Sequence, residues 1–532
     1  MFAAGGINMI TDININPNTN LLEQDPYAYQ LQDVSSPELF RSIFPYTEVP
    51  KIPFNYRKVP SNMPAEIYIT DTSFRDGQQS RTPYTQKQMV DIFKLLHRLG
   101  GPNGMIRQTE FFVYSEKDRA ALHECMELGY EFPEITTWIR ASKKDFELAK
   151  DLGIKETGIL VSCSDYHIFK KMGLTRAQAL DKYMGIVKEC IEAGLRPRCH
   201  FEDITRADFY GFVIPFASAL HQLSEESGIP IKIRACDTMG YGVPYSGVAL
   251  PRSVSGIIYG LQHYSGFTSD MLEWHGHNDF YKGVVNATTA WMYGCGAVNC
   301  SLLGIGERTG NVPLEAMVME YASLRGTFNG MDPTAITDIA DYIVNETDYD
   351  LPPMTPFVGR NFNLTRAGIH ADGMLKDEEI YNIFDTDKIL NRPAAVSVTN
   401  TSGLAGIACW INRHYRLSDD KAISKKHPVS EIKKIESRRS SKPPCPGIKV
   451  PESLTPLFRF IRLSTRSPIT PAKPHNKPNK MHCQKLIETP GKTKRINHIA
   501  VEQISEGIKP SQVFLGLICG ASLCLPKAFP KR

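Results

Sequence analysis

The sequence predicts an α/β protein built on a (β/α)8 barrel, and three observations carry the prediction. Between residues 64 and 328, short apolar runs alternate with amphipathic helical stretches, the pattern of a parallel sheet assembled from βα units. There are eight such runs, the number a closed barrel requires. The polar motifs fall at or just beyond the ends of those runs, where barrel enzymes keep their chemistry.

In order, strands are predicted over Glu66–Thr70, Met105–Phe111, Glu134–Ile139, Glu156–Val161, Arg196–Phe201, Ile231–Cys236, Met271–Trp274 and Ala297–Leu302. Between them, Gln86–Leu99 sets Met89, Ile92, Leu95 and Leu96 on one helical face, and Arg176–Ala193 repeats such a stripe; both stripes read as core. Residues 1–63 form an N-terminal extension: the first 20, rich in Asn and small residues, read as mobile, while Pro37–Pro60 has the aromatics and prolines to pack against the barrel base. Residues 329–429 read as a small post-barrel subdomain that opens with a helix over Asp332–Glu346. From 430 to 532 the chain is basic and proline-rich with little apolar periodicity, which predicts a disordered tail.

Charge and cysteine usage narrow the function classes. Residues 431–532 hold 20 Lys and Arg against 6 Asp and Glu, a net +14, so the preceding 430 residues carry −10 of the overall +4. The tail lacks aromatic interleaving, and nucleic-acid binding is not expected of it. Twelve cysteines without a C-x-x-C pair predict reduced thiols in a cytoplasmic setting. No apolar run approaches the roughly 18 residues needed to span a bilayer, so a membrane role is not expected.

The chemistry concentrates in a few motifs. His275-Gly276-His277 is an H-x-H step, which on a strand projects both imidazoles from one face, so that one divalent cation can bridge them. Asp76, at the end of the first strand, adds a carboxylate and makes a facial set with open positions for substrate oxygens; Asn311 offers a neutral oxygen. Arg75 places a permanently charged guanidinium beside that set, suited to charge forming on a carbonyl oxygen. Glu202 ends the fifth strand and either orients a base or pairs with Arg206. Thr238 follows the sixth strand, where its hydroxyl suits a substrate carboxylate and where Asp237 or Thr238 also suits a helix cap. His370 and Tyr381, beyond the barrel, carry no signal by themselves.

These motifs together resemble the acyltransferase branch of the DRE-TIM metallolyase superfamily, which includes the 2-isopropylmalate, homocitrate, citramalate and Re-type citrate synthases. The family's D-T-x-x-R-D-G-x-Q is present as Asp71 to Gln79, its H-x-H-N-D as His275 to Asp279, its G-x-G-E-R-x-G-N as Gly304 to Asn311, and its G-I-H-x-D-G as Gly368 to Gly373. The resemblance runs from about residue 60 to 415. It implies a divalent metal ion, with Mg, Mn, Zn and Co all compatible, held by Asp76, His275 and His277 with Asn311 adjacent. It further implies Arg75 as oxyanion stabiliser and Glu202, His370 and Tyr381 in proton transfer. Thr238, Gln79 and Glu110 would bind substrate, although Gln108–Phe112 departs from the usual I-E-x-G-F pattern around that glutamate.

The implied reaction condenses acetyl-CoA with a 2-oxo acid in a homodimer whose post-barrel segment completes the site. Lyases and aldolases of the same superfamily lack the G-I-H-x-D-G element, which favours synthesis here. The wording of Asp71–Thr85, Ile106–Asp118 and His200–Phe212 is closer to Re-type citrate synthases than to leucine-pathway enzymes, which implies oxaloacetate as acceptor. A dicarboxylate needs a second cation, for which Arg140 or Arg107 is the expected source.

Overall fold

Each of the eight predicted runs forms a strand. They are β1 (Tyr68–Asp71), β2 (Ile106–Phe111), β3 (Glu134–Ile139), β4 (Glu156–Ser162), β5 (Arg196–Glu202), β6 (Lys232–Asp237), β7 (Leu272–Gly276) and β8 (Ala297–Cys300). All pairings are parallel, and β8 bonds to β7 on one side and β1 on the other, with Asn299 opposite both His275 and Thr70; the ring is closed. The computed structural model describes residues 27–398 other than Ala141, the helix Leu404–Tyr415, and short stretches at 14–15, 22–23, 417 and 422–424. The described residues belong to the first of two compact units, Met1–Lys449. The tail from residue 430 and, apart from 14–15, the first 20 residues lie outside the described residues.

Eight helices sheathe the ring: α1 (Gln86–Gly100), α2 (Glu116–Glu127), α3 (Lys143–Asp151), α4 (Arg176–Glu192), α5 (Ile214–Ser227), α6 (Val254–Ser265), α7 (Gly283–Met292) and α8 (Leu314–Arg325). Helix α1 shows why they form where they do. Thr85 and Gln88 close a reciprocal capping box at its start, and Met89, Ile92, Phe93 and Leu96 are fully buried on its inner face. Each such side chain contributes about 1.5–3 kcal/mol by leaving water.

The interior departs from the branched aliphatic filling usual in such barrels. Arg198 of β5 is fully buried and donates to Glu110 of β2 (2.6 Å) and to Glu156 of β4 (2.9 Å). Arg234 of β6, equally buried, spans Glu110 (3.2 Å) and Glu273 of β7 (2.6 Å). Buried charges persist only when paired and hydrogen-bonded, and here each guanidinium has two carboxylates. Space for this network comes from Gly158 of β4, where a Cβ would lie 2.7 Å from His200 Nε2 and 3.1 Å from Glu110 Oε1.

The N-terminal extension does not pack on the barrel base as expected. Its first part crosses loops that follow β4, β5 and β6, on the opposite face. Glu38 N donates to Asp165 (2.7 Å), Gln32 N to Gly211 O (2.9 Å), Ala249 N to Pro53 O (2.9 Å), and the Arg252 guanidinium to Lys51 O (2.5 Å). Those loops present backbone groups and cations that an extended, proline-containing segment can satisfy. Only at Asn62, which donates to Met292 O (3.0 Å), has the chain passed down the wall to enter β1.

Past the barrel, α9 (Ala335–Glu346) joins the main body. Arg98 of α1 pairs with Asp332 (2.7 Å) and Asp338 (2.6 Å), and Ile336, Ile339 and Ile343 enter the barrel's own core. A separate small core of Ala371, Met374, Ala394, Val396 and Cys409 joins α10 (Gly368–Lys376), α11 (Leu404–Tyr415) and a two-stranded parallel ribbon, β9 (Leu364–Thr365) with β10 (Ala395–Val396). Among the described residues the cysteines are free and buried, and no helix is long and apolar enough to cross a membrane.

Candidate active site at the barrel mouth

The site begins where β1 ends. Asp71 accepts hydrogen bonds from Ser73 Oγ (2.6 Å) and Thr109 Oγ1 (2.6 Å) and from the Ser73 backbone (3.2 Å). Burial pushes its carboxyl up to about 6 against the pull of these bonds. The bonds tie down a single π-helical turn, Ser73–Gly77, which presents Arg75 and Asp76 to the mouth. Arg75 Nη1 contacts Asp76, its Nε donates to Glu110 Oε2 (2.8 Å), and its guanidinium carbon lies 5.6 Å from the Trp138 ring centre. The helix that follows, α1, takes its cap from Thr85.

Glu110 links the mouth to the interior network. Burial favours its neutral form, but Arg234, Arg75 and Arg198 together outweigh burial and hold the carboxyl well below the usual range. Arg75 is thus fixed from beneath by a permanent anion, with its remaining edge toward the mouth.

Asn299 of β8 orients His275. Its amide nitrogen donates to Thr70 Oγ1 (2.9 Å), which leaves its oxygen to accept from His275 Nδ1 (2.8 Å) and the Nε2 lone pair of His275 bare. That Nε2 lies 3.4 Å from His277 Nε2 and 3.6 Å from Asp76 Oδ2. Burial, His277 and Arg234 drive His275 well below the usual imidazole range, and burial with Arg308 brings His277 down to about 4. Both are neutral at physiological pH, as metal ligands must be.

The His275–His277 separation matches a shared cation, and the Asp76–His275 separation is slightly wider: with bonds of about 2.1 Å, adjacent ligand atoms stand roughly 3.0–3.4 Å apart. Asp76 is nevertheless engaged by Arg75 and by Asn311 Nδ2 (3.1 Å), and among the described residues no group of three or more His, Cys, Asp or Glu is arranged to hold a metal ion as it stands. Asn311 Oδ1 is buried without a hydrogen-bond partner. It occupies the place a side chain on Gly306 would fill, at 1.9 Å from a Cβ there, which accounts for that glycine in the Gly304–Asn311 loop. Arg308 braces this loop by donating to Asp279 (2.8 Å) and to Thr238 O (2.6 Å).

The remaining predicted residues divide. Glu202 stands at the end of β5, bonded to Ser162 Oγ and 3.2 Å from His167 Nδ1; Arg206 pairs with Asp203 (2.9 Å) instead of Glu202. Thr238 Oγ1 accepts from Asp203 N (2.9 Å), while Asp237, buried and pushed up to about 6, accepts from the backbone N–H of Tyr241 and Gly242 and shapes the turn after β6. Gln79 is exposed. The Arg140 side chain is 69% exposed, 3.5 Å from Asp145 and stacked over Tyr114. Arg107 bonds Glu66 (2.6 Å) and covers Tyr68, at the entrance to β1 rather than its exit. His370 and Tyr381 pack against each other in a tilted pair with ring centres 4.4 Å apart, and both are exposed. Sequence reasoning missed Asn299, Arg198 and Arg234, whose only signal is a polar residue at an inward position of an apolar strand. It also missed His167, which follows β4 as Glu202 ends β5.

A family model described as HMGL-like matches residues 66–343. Citrate (Re)-synthase of Clostridium kluyveri is 59% identical over 399 residues, covering 75% of this chain and 88% of that protein. Citrate (Re)-synthase of Syntrophus aciditrophicus is 56% identical over 79% of this chain and 67% of that protein. The 2-phosphinomethylmalate synthase of Streptomyces hygroscopicus is 35% identical over 74% of this chain and 90% of that protein. With the closed barrel and the mouth just described, these matches establish that the chain belongs to the HMGL-like family.

Proposed function

We propose that the chain condenses acetyl-CoA with oxaloacetate to give citrate and free CoA. The observation that carries the reading is the 59% identity to a citrate (Re)-synthase over 399 residues, 75% of this chain and 88% of that protein. A bound divalent ion, held by Asp76, His275 and His277 beside Asn311, would polarise the acceptor's carbonyl and fix its carboxylate.

The chain's own groups do the rest. A proton leaves the acetyl methyl, the resulting carbon forms the bond to the carbonyl carbon of the oxo acid, and the carbonyl oxygen gains a proton. Water then cleaves the thioester, releasing CoA as the thiol. Arg75, held from beneath by Glu110, faces the oxygen on which charge develops. Thr238 binds the acceptor's carboxylate, Gln79 and Glu110 border the substrate, and Glu202, His370 and Tyr381 move protons. Since His370 and Tyr381 are exposed beside Ile369, Ile380 and Ile383 (75%, 53% and 98% exposed), they serve the barrel of a second copy in a homodimer.

His275→Ala is expected to lose divalent-ion binding by calorimetry and turnover together while circular dichroism stays unchanged; full activity after exhaustive chelation would remove the metal from the reading. Oxaloacetate is expected to outperform 2-oxoisovalerate in a CoA-release assay, because a cation at the mouth gains a carboxylate partner that an apolar analogue lacks. Since Arg140 is exposed beside Asp145, the cation assigned to that carboxylate is Lys171, 3.7 Å from Glu202. Lys171→Gln should raise the KM for oxaloacetate and leave that for acetyl-CoA unchanged. Preference for 2-oxoisovalerate would replace the acceptor and leave the metal assignment intact.

A further inference from the structure

Four residues beyond His277, the loop from β7 to α7 carries a feature that neither metal binding nor packing accounts for. Tyr281 has φ 55°, in the left-handed region, and is 95% exposed. A bulky residue there incurs a backbone cost that glycine would avoid, and an aromatic ring in open water returns nothing to the fold. The loop around it is firmly held. Asn278 N donates to Gly310 O (2.9 Å), Tyr281 N donates to Asn278 O (3.0 Å), and Gly283 N donates to Asn278 Oδ1 (3.1 Å). Phe280 turns back onto Tyr241 with ring centres 5.2 Å apart, and Tyr241 in turn meets Phe44 at 5.7 Å. Tyr281 is thus the outward member of an anchored loop, its strain sustained by neighbours on both sides.

We infer that Tyr281 is a stacking platform for the adenine ring of the acyl-CoA donor. The inference rests on the donor proposed above. Oxaloacetate is small and charged and has no use for an aromatic face. The donor must deliver its methyl group to the buried mouth while its nucleotide end stays outside, at the rim where Tyr281 stands. A purine offers a π face to an exposed ring, and such stacking is effective in water. Lys282, whose Nζ donates to Phe280 O (3.2 Å) and lies 5.6 Å from the Phe280 ring centre, supplies a cation beside the ring for the nucleotide's phosphates.

Tyr281→Gly removes the ring and relieves the backbone at once, so it folds at least as well as the parent. By calorimetric titration with CoA, affinity is expected to fall about tenfold in Tyr281→Gly and to be preserved in Tyr281→Phe. The KM for acetyl-CoA should rise in step, with kcat and the oxaloacetate KM unchanged. S-acetylpantetheine, which lacks the nucleotide, should be used equally by parent and Tyr281→Gly. Unchanged CoA affinity in Tyr281→Gly overturns the inference, and so does an equal loss with S-acetylpantetheine. Unchanged affinity together with dissociation of a dimer would show instead that the ring meets another protein chain. If CoA binding depends on Tyr281 but no CoA is released with oxaloacetate, the acceptor is wrong and the platform stands.

Discussion

Arg75→Lys is expected to lower kcat by about 10²–10³-fold while changing the oxaloacetate KM little. The native guanidinium contacts Asp76 through Nη1 and Glu110 through Nε at 2.8 Å, so one planar group is held by two carboxylates and still offers donors to the mouth. A lysine keeps the charge but brings a single ammonium that cannot hold both carboxylates and also meet the developing oxyanion. The loss should appear in turnover because that contact strengthens only as charge forms on the carbonyl oxygen. Steady-state CoA release at saturating substrates measures it, and a kcat within a few-fold of the parent would return Arg75 to a structural part in the network beneath.

Glu110→Gln is expected to cost about 3–5 kcal/mol of stability, the usual penalty for breaking a buried ion pair from one side. Glu110 is 1% exposed and is shared by Arg75, Arg198 and Arg234. Glutamine keeps its shape and removes its charge, which leaves the guanidiniums of Arg198 and Arg234 to Glu156 and Glu273 alone. The denaturant midpoint reads the effect. The double variant Glu110→Gln with Arg198→Met should recover part of the loss, since one uncompensated cation is then gone. Equal midpoints for parent and Glu110→Gln would mean that water or a shifted side chain neutralises the cluster.

The barrel was legible because short strand-forming runs recur in alternation with helices that carry a regular apolar stripe, signals that local chemistry writes directly into the chain. The placement of Arg75, Asp76 and His275 near one another was legible from compact motifs, the first two on the turn after β1 and His275 in the last residues of β7, and His275 Nε2 lies 3.6 Å from Asp76 Oδ2. The interior network was not. Arg198 and Arg234 sit 36 residues apart in the sequence, and nothing local says that both side chains turn inward to one glutamate. The surroundings of Arg140 were hidden too: its position at the end of β3 was plain, but its pairing with Asp145 and stacking over Tyr114 join residues from different segments. The path of the N-terminal extension was equally hidden, since it is chosen by backbone partners in loops more than a hundred residues away.

The seam between β8 and β1 makes the catalytic apparatus indivisible. Asp76 and Arg75 ride on the turn after the first strand, Glu110 on the second, and His275 and Asn299 on the last two. The hydrogen bond from Asn299 to Thr70 that sets the His275 tautomer crosses that same seam. A fragment of the first four strands would own the carboxylates and the arginine, and one of the last four the imidazoles, but neither would own the geometry. Asn299 ties the readiness of His275 to whether the ring has closed, so a half-built barrel lacks the arrangement needed to seize a cation or to begin chemistry.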